Sequence, residues 1–253
     1  MHILKGYTKQ EISWMMYDWA NSAHSVIIVT LLPIFFDTVA GYTADSVSSM
    51  STWGYATSIA MLIVALAAPF LGVFGDIRGM RKKLFSFFML LGVAACAGMA
   101  FTPGMDFTSG PVAAGKVASL ILVLYIVSVI GFDASAIYYD AFLTDVTTED
   151  RMDKVSTMGY GLGYIGGSTI PLLIFLIMNL VGVPMLTCLA FVFGLTAVWW
   201  LAFSLPLLKN CEQTSGKPYE KGDVARSIKG VGTTIKEIIA NKPMLIYILS
   251  YFF

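Results

Sequence analysis

The sequence predicts an all-α polytopic membrane protein, built as a six-helix bundle followed by the start of a seventh helix. Of its 253 residues, 57% are hydrophobic and only 13% are charged, whereas about 25% of a soluble domain is charged. The apolar residues form runs long enough to cross a bilayer, which takes about 20 residues per helix. Short charged segments separate these runs, and such segments must lie in water because charge is costly in hydrocarbon.

The runs define the predicted spans and the domain boundaries. The six spans are 12–36, 52–74, 84–101, 117–139, 158–178 and 185–208. We therefore expect a transmembrane bundle over 1–208, a cytoplasmic loop over 209–242 and the truncated start of a seventh span over 243–253. That last apolar run covers about 16 Å at helical rise, or half a bilayer. The chain is therefore expected to end inside a seventh helix.

The basic residues predict the orientation. With a cytoplasmic N-terminus, fifteen of the sixteen Lys and Arg residues fall in inner segments, and Lys116 is the exception. Basic residues favour the cytoplasmic side of a membrane. We expect a multi-pass protein with its N-terminus inside, in a bacterial inner (plasma) membrane.

Composition also narrows the partners. The net charge is zero, which gives no basic surface for nucleic acid. The three cysteines show neither disulfide nor metal-ligand spacing, so no metal and no cofactor is expected. The predicted partners are the lipid bilayer, a small-molecule substrate and protons.

The polar loop contains one segment with helical periodicity. Apolar residues recur at helical spacing across 227–240, with charged residues between them. An amphipathic helix lying on the inner membrane face has this pattern. A solvated linker with partial helix is the alternative, and the pattern leaves both open.

The turn between the second and third spans resembles the signature of the major facilitator superfamily. The matching residues are Gly72, Asp76, Gly79, Arg81 and Lys82, and Arg78 stands one position after the site where that family has a cation. The resemblance implies a cytoplasmic gate, in which Asp76 pairs with Arg81 or Arg78 and lies over a helix of the other half. We expect the glycines to permit close backbone approach. Topology anchoring is the alternative role of these cations.

Three further segments resemble the vacuole-effluxer family, which includes autophagy-related amino-acid exporters. They are 14–23 in the first span, 138–145 at the end of the fourth and the glycine-rich 159–167 in the fifth. The resemblance implies the N-terminal half of a major-facilitator fold, completed by a C-terminal six-helix half that is missing from this chain.

The first span carries a polar stripe, formed by Asp18, Asn21, Ser22 and Ser25. Their i, i+3, i+4 and i+7 spacing places them on one helix face. A carboxylate at a helix centre costs about 3 kcal/mol, so it usually faces a bundle interior or a water-filled cavity. His24 lies three residues beyond Asn21 and so deeper in the span. It is either a proton carrier or a packing residue.

The fourth span carries a second acidic stripe, formed by Asp133 and Asp140. We expect Asp18 and Asp133, at similar depth in the inner leaflet, to face a polar central cavity and to bind the substrate's amino group, a proton, or both, and Asp140, at the inner end of the helix, is a further binding candidate. Asp140 and Asp145 lie on the same side of the membrane as the turn between the second and third spans, called the charged turn below. They are therefore also the candidate partners of Arg78 and Arg81.

The fifth span carries a glycine ridge at Gly159, Gly163 and Gly167. Glycines four residues apart let a neighbouring helix approach closely, and we interpret the ridge as a packing surface.

These observations favour a secondary active transporter that moves a small, amino-acid-like solute by alternating access, coupled to protons, and not an enzyme. One alternative is a transport-inactive membrane anchor or lipid scramblase. The other is an intramembrane aspartyl hydrolase, since Tyr-Asp occurs at 17–18 and at 139–140, although the Gly-x-Gly-Asp motif of that class is absent.

Overall fold

The computed structural model describes residues 4–43, 49–218 and 223–250. Six helical spans in these ranges are long and apolar enough to cross a membrane, which confirms the predicted fold class. The helices of the bundle are α1 Lys9–Ala40, α2 Ser49–Gly75, α3 Arg81–Met99, α4 Pro111–Val146, α5 Glu149–Leu162, α6 Thr169–Leu180 and α7 Met185–Asn210. A π-helical segment, Gly163–Ser168, joins α5 to α6, and the three together form the fifth span.

Several spans are longer than predicted, and in α1 a polar cap explains the earlier start. Thr8 caps α1: its hydroxyl accepts from the Glu11 N–H at 3.1 Å, and the Glu11 carboxylate accepts from the Thr8 N–H at 2.7 Å. Such a capping box lets the helix begin ahead of its apolar run. α4 has 36 residues, or about 54 Å, so it extends past the roughly 30 Å hydrocarbon layer.

Two shorter helices follow the bundle. The predicted amphipathic helix is present as α8, Asp223–Ala240, which begins four residues earlier than expected. Its position on the membrane surface stays a prediction. The seventh apolar run forms α9, Lys242–Ser250, and residues 251–253 lie outside the described residues.

Helices α1 and α4 organise the bundle. α1 packs against α7, the fifth span and α4, while α4 also packs against α2 and α3. α3 and α4 cross at two glycines: a Cβ on Gly131 would lie 2.5 Å from the Gly92 nitrogen, so the two backbones are in contact. The Trp200 ring of α7 covers the same crossing. The bundle is thus held by close backbone contact and by buried aromatic rings.

Candidate functional site

A polar cleft of about 270 Å³ lies between α1, α4 and the fifth span. Its polar wall comes from Asp18, Asn21, Ser22, Ser25, Asp140 and Ser168. Its aromatic wall comes from Phe132, Tyr139, Tyr160 and Tyr164. The predicted stripe of the first span therefore lines one cavity together with Asp140. None of the described residues that line the cleft is Lys or Arg.

Asp18 sits where three elements meet. The Tyr139 hydroxyl of α4 lies close to its carboxylate, and a Cβ on Gly159 of α5 would be 2.7 Å from Asp18 Oδ2. Tyr139 is held in place by Trp14, whose Nε1–H donates to the Tyr139 carbonyl at 2.9 Å and whose ring stacks on the tyrosine at 4.4 Å. The carboxylate thus has a fixed position at the edge of the cleft.

Asp133 is not among the residues that line this cleft. It is half-buried, and its Oδ2 has no hydrogen-bond partner among the described residues. Phe132 and Ala136 form the α4 wall at this level. The acidic residue that α4 contributes to the cleft is therefore Asp140, with Asp133 held apart from it.

His24 lies in the protein core and not on the cleft. Its side chain is buried, its Nε2 is 3.3 Å from the Ser128 hydroxyl and its ring stacks on Phe132 at 4.7 Å. Trp200 packs against the other side, with ring centroids 5.1 Å apart. These contacts are those of a packing residue, but His24 Nδ1 is buried with no hydrogen-bond partner among the described residues, and a role of His24 as a proton carrier stays a prediction.

The glycine ridge of the fifth span packs directly against α1, as expected. A Cβ on Gly163 would lie 2.5 Å from the Ser22 hydroxyl, and one on Gly167 would lie 2.3 Å from the Trp19 carbonyl. The π-helical segment over these residues was not predicted. Its wider turn is supported by the Thr169 hydroxyl, which donates to the Tyr164 carbonyl five residues earlier at 2.9 Å.

The charged turn is anchored through Arg81. This side chain is buried, and its Nη1 donates to the Asp145 carboxylate, to the Ala141 carbonyl at 2.9 Å and to the Ser215 hydroxyl at 3.1 Å. Asp76 lies 3.9 Å from Arg81 Nη2 and its side chain is 83% exposed. The expected acid–base contact between the two turns is thus made by Arg81 and Asp145, while Asp140 faces the cleft.

Gly72 and Gly79 do not serve close approach within the described residues, whereas Gly75 does: a Cβ there would lie 3.0 Å from the Tyr138 ring. A Cβ on Gly72 or Gly79 would meet no atom within 4 Å. Gly79 is needed for another reason: its φ of +80° is a left-handed conformation that L side chains rarely adopt. The turn can therefore reverse direction between α2 and α3.

Residues 211–217, called the strap below, pack along the charged turn. These contacts were not predicted from the sequence. Gln213 Oε1 accepts from the Gly79 N–H at 2.8 Å, and its Nε2 donates to the Gly75 carbonyl at 3.0 Å. The backbone N–H groups of Thr214 and Ser215 donate to Asp145 Oδ1 at 3.0 and 2.8 Å. Lys217 forms a parallel bridge with Ile77. The segment has no hydrophobic periodicity, so only its tertiary contacts show its position.

A second ion pair, with a buried carboxylate and a partly exposed guanidinium, was also missed. Arg151 donates to Glu11 through Nε at 2.8 Å and through Nη2 at 2.9 Å, and the Glu11 side chain is 2% exposed. The Thr147 hydroxyl donates to the same carboxylate at 2.7 Å. The pair fastens the start of α1 to the α4–α5 turn on the side of the charged turn.

Six apolar spans, three of which border a polar, acidic cleft, define the class: an all-α polytopic membrane protein. The sequence matches the family described as "Vacuole effluxer Atg22 like" over residues 39–253, and the chain belongs to this family. It is also 38% identical over 259 aligned residues to the "Uncharacterized MFS-type transporter YxiO" of Bacillus subtilis (strain 168). That alignment covers 99% of this chain and 58% of the relative, so the chain spans little more than half of the relative's length.

Proposed function

We propose that this chain forms the N-terminal half of a secondary active transporter, which moves a small, amino-acid-like solute by alternating access and couples its movement to protons. The acidic cleft carries the proposal: Asp18 and Asp140 line one cavity with Asn21 and Ser25, between spans that are otherwise apolar. Ionisable groups within the membrane-spanning segments of a protein typically mark the path of a substrate or a proton.

The charge of the cleft supports proton coupling. Two carboxylates share a small cavity, and the described lining residues include no Lys or Arg to neutralise them. Their charge must then be balanced by protons, by water or by a cationic group of the solute. Competition between a proton and the solute for the same carboxylates is a direct way to couple their movements.

The family and the length of the relative support the two-half architecture. The relative is named as an MFS-type transporter and is longer than this chain. In transporters built from two helical halves, the binding site lies at the interface of the halves, which rock around it. We place the missing C-terminal six-helix half opposite the cleft, with Asp76 exposed toward it and Arg81 holding the turn from the other side.

Transport in proteoliposomes that contain this chain together with its proposed C-terminal half, with an imposed proton gradient and a set of radiolabelled amino acids, tests this function. Asp18→Asn and Asp140→Asn should abolish gradient-driven uptake while leaving the protein in the membrane, because the neutral amide neither carries a proton nor attracts a cation. Asp133→Asn tests the other acidic residue of α4 in the same way. Asp106→Asn, in the exposed outer loop, is the matched control and should transport normally.

Two results would contradict the proposal. Unchanged transport by both Asp18→Asn and Asp140→Asn would remove the carboxylates of the cleft from the mechanism. Phospholipid scrambling in the same vesicles, without uptake of any solute, would instead favour the scramblase alternative.

A further inference from the structure

Two tyrosines of the fifth span form an exposed aromatic pair on the wall of the cleft. The Tyr160 and Tyr164 ring centroids are 4.8 Å apart, with the planes at 57°, and their hydroxyls are 3.1 Å apart. The two residues are 63% and 60% exposed. Both line the cleft that contains Asp18 and Asp140, so aromatic faces and carboxylates border the same space.

We propose that Tyr160 and Tyr164, facing Asp18 and Asp140, bind the ammonium group of the solute, so that the cleft selects amines over carboxylates of equal size. This inference rests on the proposed function of the cleft and adds the chemical class that it accepts. Aromatic faces attract cations through the ring quadrupole. The carboxylates of the same cleft supply charge-assisted acceptors for the ammonium N–H groups.

A buried and unpaired polar group supports a ligand at this position. The Tyr139 side chain is 4% exposed and lines the cleft, and its hydroxyl has no hydrogen-bond partner among the described residues. Buried hydroxyls in native structures are nearly always paired. The hydroxyl lies beside the Asp18 carboxylate without a regular hydrogen bond to it, and a solute ammonium between them would donate to both oxygens.

The charge of the cleft disfavours binding of a solute carboxylate. A solute carboxylate needs a guanidinium, an ammonium or a set of N–H donors, and the described lining offers no Lys or Arg. It offers two carboxylates that repel an anion. Within this half of the protein, the cleft can therefore bind the cationic end of a solute and not the anionic end.

The backbone holds the pair in a fixed position. Tyr160 lies in α5 and Tyr164 in the π-helical segment, four residues later. Gly163, between them, packs against α1 so closely that a Cβ would lie 3.1 Å from the Asp18 carbonyl. Because the glycine contact sets the distance between the two helices, it also sets the distance from the rings to the carboxylates.

Saturation-transfer NMR on the purified protein in nanodiscs tests the inference with two small probes that share a butyl chain, n-butylammonium and pentanoate. We expect saturable binding of n-butylammonium in the millimolar range and none of pentanoate. Tyr160→Leu and Tyr164→Leu should each weaken n-butylammonium binding by about three- to tenfold, whereas Tyr160→Phe and Tyr164→Phe should stay within about twofold because the ring is retained. Tyr55→Leu, at a 72% exposed tyrosine of α2, is the matched control and should bind normally.

Equal binding of both probes, or Leu variants that bind n-butylammonium like the unsubstituted protein, would overturn the inference. A thermal unfolding measurement on each variant separates loss of binding from loss of fold, and the Phe variants preserve the packing. The outcomes also separate the two proposals. Gradient-driven transport of a solute without an amine would overturn the ammonium site alone, while n-butylammonium binding without any transport would overturn the transporter alone.

Discussion

One buried arginine holds the α2–α3 turn in place. Arg81 is 4% exposed and donates to one carboxylate, one carbonyl and one hydroxyl, which belong to α4 and to the strap. A buried ion pair contributes little net stability when intact, because desolvation offsets the attraction, but removing one partner leaves an unpaired buried charge. We therefore expect the loss of stability to be large when Arg81 alone is removed, although the intact pair contributes little net stability.

We predict that Arg81→Ala destabilises the protein by about 3 kcal/mol, because the Asp145 side chain, which is 0% exposed, loses its cation. Thermal unfolding of purified protein in detergent measures the change. Lys83→Ala removes an exposed cation from the same helix and should change stability by less than about 0.5 kcal/mol. Equal stability of the two variants would show that Arg81 is no anchor.

At the scale of elements, the fifth span owes its position to glycine. Gly163 and Gly167 press against the α1 backbone, and Gly166 lies under the Trp19 ring, where a Cβ would be 1.9 Å from a ring carbon. Lipid provides no hydrophobic drive between helices, so close contact of this kind supplies much of their association. The contact also forms one side of the cleft.

We predict that Gly167→Ala destabilises the bundle by about 2–3 kcal/mol, because its Cβ would lie 2.3 Å from the Trp19 carbonyl, a backbone atom that no side-chain rotation can move away. Thermal unfolding and the yield of monodisperse protein measure this. Gly161→Ala is the matched control in the same span: its Cβ meets no atom within 4 Å, and alanine favours a helix. The prediction fails if Gly167→Ala unfolds at the same temperature as Gly161→Ala.

These elements also show what the sequence can predict. The stripe from Asp18 to Ser25 follows from helical periodicity, and the glycine ridge follows from its spacing, so both were predictable. Periodicity does not distinguish a charge on the cleft from a charge beside it, and Asp133 and Asp140 share one stripe. The structure shows which one faces the cleft: Phe132, Ala136 and Asp140 of α4 line it, and Asp133 does not. The contacts of Gln213 join residues more than 130 positions apart, and no local pattern marks them.

At the scale of the whole molecule, the strap ties the end of the bundle back to its middle. It begins where α7 ends, and it bonds to the α2–α3 turn and to Asp145 at the end of α4. The Glu11–Arg151 pair fastens the start of α1 to the α4–α5 turn. The ends of all six spans are thus joined on one face, which is the face where the basic residues concentrate.

That concentration of charge predicts the orientation of the molecule, and cysteine labelling tests it. Lys116→Cys should react with a membrane-impermeant maleimide on intact cells, whereas Lys83→Cys should react only after permeabilisation, because basic residues favour the cytoplasmic side. Both positions are exposed. The three cysteines of the chain are buried, and burial raises the pKa of the Cys211 thiol to about 12, which suppresses its reactive thiolate. The unsubstituted protein therefore serves as the background control for maleimide labelling. The reverse labelling pattern would place the charged turn, the strap and the N-terminus outside the cell, and it would contradict a cytoplasmic gate.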